Sequence, residues 1–185
     1  MATTTRISGG LRTFLAFGVL VVLETPSVTD AEETGLPLPA PLASISFFVD
    51  RNLGAALQDT LEEAARRLSD SRCQEIVNDF ADGAGRTLAE NLRAIGQSVP
   101  GYLGLVLFYD GTGTRPCEAE RVLAWTTPGH RAVHVCRERF VYWRRTNPGY
   151  AADIVIHEAL HTLGLRESPP SPGEITAKVM ERCGQ

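Results

Sequence analysis

The sequence has no block of like charges, no internal repeat and no low-complexity tract. Its 185 residues carry a formal net charge of -4 at pH 7. The charge pattern therefore gives no reason to expect nucleic acid or an anionic membrane surface as a partner. The basic and aromatic stretch at residues 142–145 (YWRR) is more typical of a solvated face than of a nucleic-acid site. The length favours one domain with a substantial core.

Long apolar runs are also missing. The run at residues 14–23 follows Arg6 and Arg12, and at about ten residues it is far shorter than the roughly 20 that cross a bilayer. This pattern predicts a secretory signal peptide over residues 1–31, cleaved near Ala31, and no membrane segment in the mature form. An uncleaved N-terminal anchor is the alternative. Either way, we expect the folded part to be secreted or periplasmic.

Cysteine is scarce and never forms a CxxC pair, which argues against a four-cysteine zinc site. All four cysteines follow the predicted signal, and an even number in an oxidising compartment predicts two disulfides. Three pairings are possible. We favour Cys117–Cys136, because two short strands joined by a turn would bring these residues together, and this choice leaves Cys73–Cys183.

Helical signals follow a proline-rich linker at residues 32–43, so that one domain would span residues 44–185. The segment after residue 44 could be a short strand or the lead into a helix. Apolar residues then recur at helical spacing over residues 53–68 and predict a long helix. Two capping-box patterns, beginning at Ser71 and at Thr87, predict short helices at about residues 72–81 and 88–96.

Three later segments have the character of strands. Residues 102–109 (YLGLVLFY) predict a central strand that is buried on both faces, and residues 121–126 and 131–136 predict two more strands joined by a turn. The order of elements predicts an α+β fold, in which a small mixed sheet of about three to four strands packs against helices.

The stretch DIVIHEALHTLGLRE, residues 153–167, lies on the most apolar predicted helix. Asn147 and Pro148 form an N-cap and N1 pair, and Gly164 is a natural stop, so we predict a buried helix of about 16 residues. On such a helix His157 and His161 face the same way, whereas Glu158 points roughly 100° to the side.

This spacing suits metal-assisted hydrolysis. Two imidazoles can bind one metal ion, while the neighbouring carboxylate takes a proton from water on that ion. The alternative is an amphipathic helix that carries these residues by chance. If the two histidines were buried for structure alone, each ring would need its own hydrogen-bond partners. A shared metal ion meets this need for both rings, which favours the metal site.

Residues 157–164 (HEALHTLG) resemble the first eight positions of the metzincin pattern HExxHxxGxxH, whose glycine lets a third ligand return to the metal. Glu167 occupies the third-ligand position, where the family has His or Asp, and a carboxylate is an acceptable zinc donor. The match covers eleven residues. The tail at residues 163–176 also resembles uncharacterised exported bacterial proteins.

The resemblance implies a zinc-dependent hydrolase, specifically a metallopeptidase of the zincin type. It implies that His157, His161 and Glu167 bind Zn2+, that Glu158 is the general base, and that a peptide or protein is the substrate. The alternative is an exported zinc-binding or interaction protein without turnover. The oligomeric state is not predicted.

Glu181 is a second candidate for the third ligand. It follows His161 by twenty residues, a spacing similar to that of the thermolysin-like gluzincins, but Met180 stands where that family has asparagine. Glu174 is explained by a capping box that begins at Ser171.

Five other side chains complete the expectations. His130 is expected to be exposed in a turn, His134 to face away from its buried neighbours, and Met180 to pack in the core. Tyr142 and Tyr150 are alternative donors to a developing oxyanion. The segment at residues 132–135 is the candidate edge strand beside the substrate.

Overall fold

The sheet has four strands in the order β1-β2-β4-β3. They are β1 (Ser46–Phe48), β2 (Leu107–Asp110), β3 (Ala124–Thr126) and β4 (Ala132–Val135). β1 and β2 are parallel, β2 and β4 are parallel, and β3 is antiparallel to β4. The structure is a computed structural model that describes residues 46–184, so the predicted signal peptide and linker lie outside the described residues. The mixed sheet and its helices confirm the α+β prediction.

Helices account for most of the remaining described chain. In sequence order they are α1 (Arg51–Leu68), α2 (Ser71–Gln74), α3 (Ile76–Asp79), α4 (Leu88–Ala94), α5 (Val99–Leu103), α6 (Arg115–Glu118), α7 (Arg137–Thr146), α8 (Pro148–Thr162) and α9 (Pro172–Cys183). α8 packs against α1, α7 and α9, and it also contacts β3 and β4. The helix that carries the HExxH motif is therefore the centre of the fold.

The core forms where α1 and α8 meet. Leu53, Leu57 and Leu61 recur at helical spacing and are fully buried, and burying each such side chain contributes roughly 2 kcal/mol. A buried ion pair joins the two helices, because Arg67 Nη1 lies 2.8 Å from Asp153 Oδ1. Burial raises the pKa of Asp153, and the charge of Arg67 opposes that rise. Removing either partner of such a buried pair would leave the other charge buried and unpaired, which is strongly destabilising.

The predicted boundaries of the central helix are confirmed at both ends. The Asn147 side chain accepts a hydrogen bond from the Tyr150 N–H at 3.1 Å, and Pro148 stands in the first turn of α8. The helix ends at Thr162, and Gly164 adopts a φ of 108°. That φ is one that residues with a Cβ rarely adopt, so glycine permits the turn here.

Both predicted disulfides form, as Cys73–Cys183 and Cys117–Cys136. The first joins α2 to the end of α9, and the second lies between α6 and the residue after β4. Two disulfides fit an extracellular protein. Within residues 46–184, no helix combines the length and the apolar character that crossing a membrane requires.

The prediction for residues 102–109 is only partly correct. The central position of the strand is confirmed, but Val99–Leu103 is a helix and the strand begins at Leu107. Ser98 caps this helix by accepting from the Gly101 N–H, and Pro100 stands in its first turn. The cap and the proline therefore override the strand propensity of the residues that follow. Only Phe108 is fully buried in β2.

One of the predicted capping boxes is wrong. Asp70, not Ser71, caps α2, because its carboxylate accepts from the N–H groups of Arg72 and Cys73. The helix expected at residues 72–81 is two short helices, α2 and α3. The capping boxes at Thr87 and Ser171 are confirmed.

Candidate metal centre

The two motif histidines converge, as the sequence predicted. His157 Nε2 and His161 Nε2 lie 2.9 Å apart, and their ring planes are inclined by 67°. Both side chains are buried. The helical spacing places the rings on one face of α8, and packing of α9 and of the chain after α8 fixes their orientation.

The outer nitrogen of each ring has its own partner. His161 Nδ1 lies 2.8 Å from the Leu165 carbonyl oxygen, which can only accept, so Nδ1 carries the hydrogen, and in the neutral ring Nε2 then has a free lone pair. His157 Nδ1 lies 2.9 Å from Thr176 Oγ1 on α9. When that hydroxyl accepts, His157 Nε2 also presents a lone pair. In that tautomer the two Nε2 lone pairs can bind one cation, whereas in the other tautomer His157 Nε2 donates to His161 Nε2 at this distance.

Glu167 completes a group that could hold a metal ion. Its Oε1 lies 3.3 Å from His161 Nε2, and one ligand atom from each of His157, His161 and Glu167 lies within 4.8 Å of the others. The Glu167 side chain is 48% exposed. The other candidate, Glu181, is exposed, bonds to Lys178 Nζ at 2.8 Å and does not belong to this group.

Glu158 is buried next to these ligands. Its residue is 6% exposed, and its Oε2 has no hydrogen-bond partner among residues 46–184. Burial, with a smaller contribution from the charge of Glu167, raises the pKa of Glu158 to about 8. A nearby cation would favour the ionised form instead. Burial also lowers the pKa of His157 to about 3, with a smaller contribution from His161, so the His157 imidazole is neutral near pH 7.

The site lies at the floor of a cleft of about 880 Å³. One side is lined by β3 and the residues that precede it, and another by residues of α9 between Pro172 and Met180. His157, Glu158, His161 and Glu167 all line this cleft. The two histidines are therefore buried, Glu167 is about half exposed, and all three border the same cleft.

Comparisons of the chain with protein-family models, with curated proteins and with solved structures give no match. The resemblance to the metzincins therefore rests on residues 157–167. We infer function from the geometry of the site.

The predicted edge strand is wrong. Residues 132–135 form β4, which lies between β2 and β3 in the sheet. After β3 the chain turns back and β4 pairs between β3 and β2. The edge strands of the sheet are therefore β1 and β3. Within the described part of the chain β3 has no strand on its other side, and its residues line the cleft.

Met180 is not a core residue. The buried face of α9 consists of Ile175, Val179 and Cys183, which recur at four-residue spacing. Met180 lies beside that face, is 50% exposed and lines the cleft. The sequence pattern was correct about the helix but assigned this residue to the wrong face.

The structure separates the two tyrosines. Tyr150 lines the cleft and packs against Trp143, with ring centroids 5.0 Å apart. Tyr142 is 60% exposed and is not among the residues that line the cleft. Its neighbours at residues 143–145 lie on α7, a helix that the sequence analysis did not predict.

The remaining histidines lie outside the metal-binding group. His130 is exposed, as expected. His134 faces away from Val133 and Val135, also as expected, and stacks between Tyr109 and Trp125. Sequence reasoning missed Thr176, because a threonine nineteen residues beyond His157 has no spacing that marks it as a partner.

Proposed function

We propose that this protein is an exported zinc-dependent metallopeptidase. His157, His161 and Glu167 would hold Zn2+, and Glu158 would act as general base and then as proton donor. The observation that carries the proposal is the pair of buried imidazole nitrogens 2.9 Å apart at the floor of an open cleft.

The residues present fit zinc. Two imidazoles and one carboxylate form a donor set that zinc accepts in catalytic sites, where a further position is left for water or substrate. Each imidazole is oriented by a hydrogen bond to its outer nitrogen, as is usual for metal-binding histidines. A zinc ion bound there would lower the pKa of water and polarise a substrate carbonyl.

Glu158 is suited to moving protons. Its residue lines the cleft, and its Oε2 has no hydrogen-bond partner within residues 46–184. A positioned carboxylate can accept a proton from the attacking water and deliver it to the leaving amine. Protein structure that needed this carboxylate only for packing would be expected to satisfy both of its oxygens.

A peptide or protein substrate is supported by β3. An exposed strand edge can pair with an extended chain through main-chain hydrogen bonds, and β3 lines the cleft beside the metal-binding group. Export to a secreted or periplasmic location is supported by the two disulfides and by the predicted signal peptide, both of which are typical of exported proteins.

Replacing Glu158 with Gln tests the proposal directly. We expect Glu158→Gln to retain stoichiometric zinc and to lower the hydrolysis of a mixed peptide library by about 10²–10⁴-fold, because the variant loses the proton acceptor. Zinc content and peptide cleavage are measured on the same preparation. Glu62→Gln, a change of the same kind on the exposed side of α1, should leave both unchanged.

Two outcomes would contradict the proposal. Zinc binding by the unmodified protein without any cleavage of the library would favour an exported zinc-binding protein without turnover. If His157→Ala has the same zinc affinity as the unmodified protein, the proposed metal centre at this site is wrong.

A further inference from the structure

An asparagine from a distant helix holds the end of α8. Asn91, on α4, donates from Nδ2 to the Leu163 carbonyl oxygen at 2.9 Å and to Asp82 Oδ2 at 3.0 Å. Leu163 is the residue at which the chain leaves α8. The last carbonyls of a helix have no partner within the helix, so this hydrogen bond satisfies one of them and ties it to α4.

The orientation of the Asn91 amide is fixed by the chemistry of its partners. The Leu163 carbonyl and the Asp82 carboxylate both accept, so the amide nitrogen must face both of them. The hydrogen bond from Asn91 lowers the pKa of Asp82 well below its usual range, so the carboxylate is ionised at neutral pH. Asp82 is held in turn by the N–H groups of Ala84 and Arg86.

Asp82, which accepts from Asn91, also contacts the residues that follow Leu163. We call residues 163–167 the return turn. Within it, Gly164 takes its φ of 108°, and Leu165 forms an antiparallel bridge with Asp82. The Leu165 carbonyl accepts from His161 Nδ1 at 2.8 Å. Leu165 is thus held on one side by Asp82 and on the other by a candidate metal ligand, two residues before Glu167.

We propose that Asn91 and Asp82 are positioning residues for the third metal ligand. They hold the return turn against the end of α8, so that the Glu167 carboxylate is already beside His161 before the ion binds. This inference rests on the proposed metal centre. Without these contacts, the exposed turn that carries Glu167 would have to become ordered when the ion binds. The entropy lost in that ordering would weaken the affinity for the ion.

The test is a double-mutant cycle on zinc affinity, measured by competition with a chromogenic chelator. We expect Asn91→Ala to weaken zinc binding by about 10–100-fold, the usual effect of losing a partner that orients a ligand. In a Glu167→Ala background the same change should weaken binding no further, because the residue that Asn91 positions is gone. Asn78→Ala, which removes an exposed asparagine bonded to Glu75, is the matched control.

A nearly isosteric variant separates positioning from packing. Asn91→Asp keeps the shape of the side chain but cannot donate to two acceptors, so it should weaken zinc binding at least as much as Asn91→Ala. The visible absorption spectrum of the cobalt(II)-loaded Asn91→Asp protein should also change toward that of Glu167→Ala. Thermal unfolding of each metal-free variant checks that it folds.

The outcomes are distinct. If Asn91→Asp and Asn91→Ala bind zinc as the unmodified protein does, or if their effects simply add to that of Glu167→Ala, the positioning role is wrong while the metal centre stands. If the unmodified protein binds no zinc, the proposed function and this inference both fail.

Discussion

At the scale of single residues, the candidate centre depends on one hydroxyl that no motif predicts. Thr176 Oγ1 lies 2.9 Å from His157 Nδ1 and reaches it from a separate helix. As an acceptor it selects the tautomer in which His157 Nε2 has a free lone pair. The tautomer of His161 is selected by the Leu165 backbone carbonyl, an acceptor that a side-chain substitution does not remove.

Removing the Thr176 hydroxyl should therefore weaken metal binding. We expect Thr176→Val, which nearly preserves the shape of the side chain, to lower zinc affinity by about 10–100-fold, because in the tautomer that presents Nε2 to the ion the Nδ1–H of His157 loses its acceptor. Thr176→Ser, which keeps the hydroxyl, should retain most of the zinc affinity. Thr60→Val is the control, because Thr60 is also buried and bonds to a carbonyl, but within α1. An unchanged affinity in Thr176→Val, measured by chelator competition, would show that the hydroxyl does not orient the ring.

At the scale of elements, the site depends on how α8 ends. The return turn needs the backbone conformation of Gly164, and a Cβ on that residue would lie 3.1 Å from Asp82 Cβ. Both restrictions act on the segment that brings Glu167 to His161. The end of the helix and the third ligand are therefore one structural unit.

Gly164→Ala should disturb that unit. We expect the free energy of unfolding to fall by about 1–3 kcal/mol, because alanine is strained at a φ of 108°, and we expect zinc affinity to fall with it. Gly173→Ala is the matched control, since a Cβ there would meet nothing within 4 Å. Urea unfolding and zinc titration give the two quantities. Full stability and full affinity in Gly164→Ala would contradict this description of the turn.

Local signals predicted some elements well and others poorly. The caps at Asn147, Thr87 and Ser171 act through atoms within three residues, so the sequence identified them correctly. The strand predicted from residue 102 was wrong in its first half, because Ser98 and Pro100 start a helix that buries Tyr102 and Leu103. Apolar character alone does not distinguish a buried strand from a buried helix.

At the scale of the whole molecule, the two disulfides differ in how much chain they close. Cys73 and Cys183 are 110 residues apart in the sequence, whereas Cys117 and Cys136 are 19 apart. The longer bridge also joins α2 to the helix that carries Thr176. It therefore supports one wall of the candidate site.

The longer bridge should contribute more to stability. We expect Cys73→Ala/Cys183→Ala to lose about 4–5 kcal/mol of unfolding free energy and Cys117→Ala/Cys136→Ala to lose about 3 kcal/mol, because a longer closed loop restricts the unfolded chain more. Urea denaturation of the two double variants measures the difference. The reverse order of the two losses would show that loop closure is not the dominant effect.

The sequence by itself predicted the central helix, its caps and the convergence of His157 and His161, and it favoured the return of Glu167 and the observed pairing of the cysteines over their alternatives. These features follow from helical periodicity, from fixed spacing within a motif, or from short strands joined by a turn. Most of them act over a short stretch of chain, and the 110-residue pairing of Cys73 with Cys183 follows by elimination once Cys117 and Cys136 are paired.

Only the tertiary structure decided which strand lies at the edge, which face of α9 carries Met180, that Thr176 contacts His157 and that Asn91 contacts the end of α8. Asn91 is 72 residues from Leu163, and Thr176 is nineteen from His157. Contacts over such separations depend on how whole elements pack. A hydrogen-bond partner from a distant element has no fixed spacing, so no local pattern can reveal it.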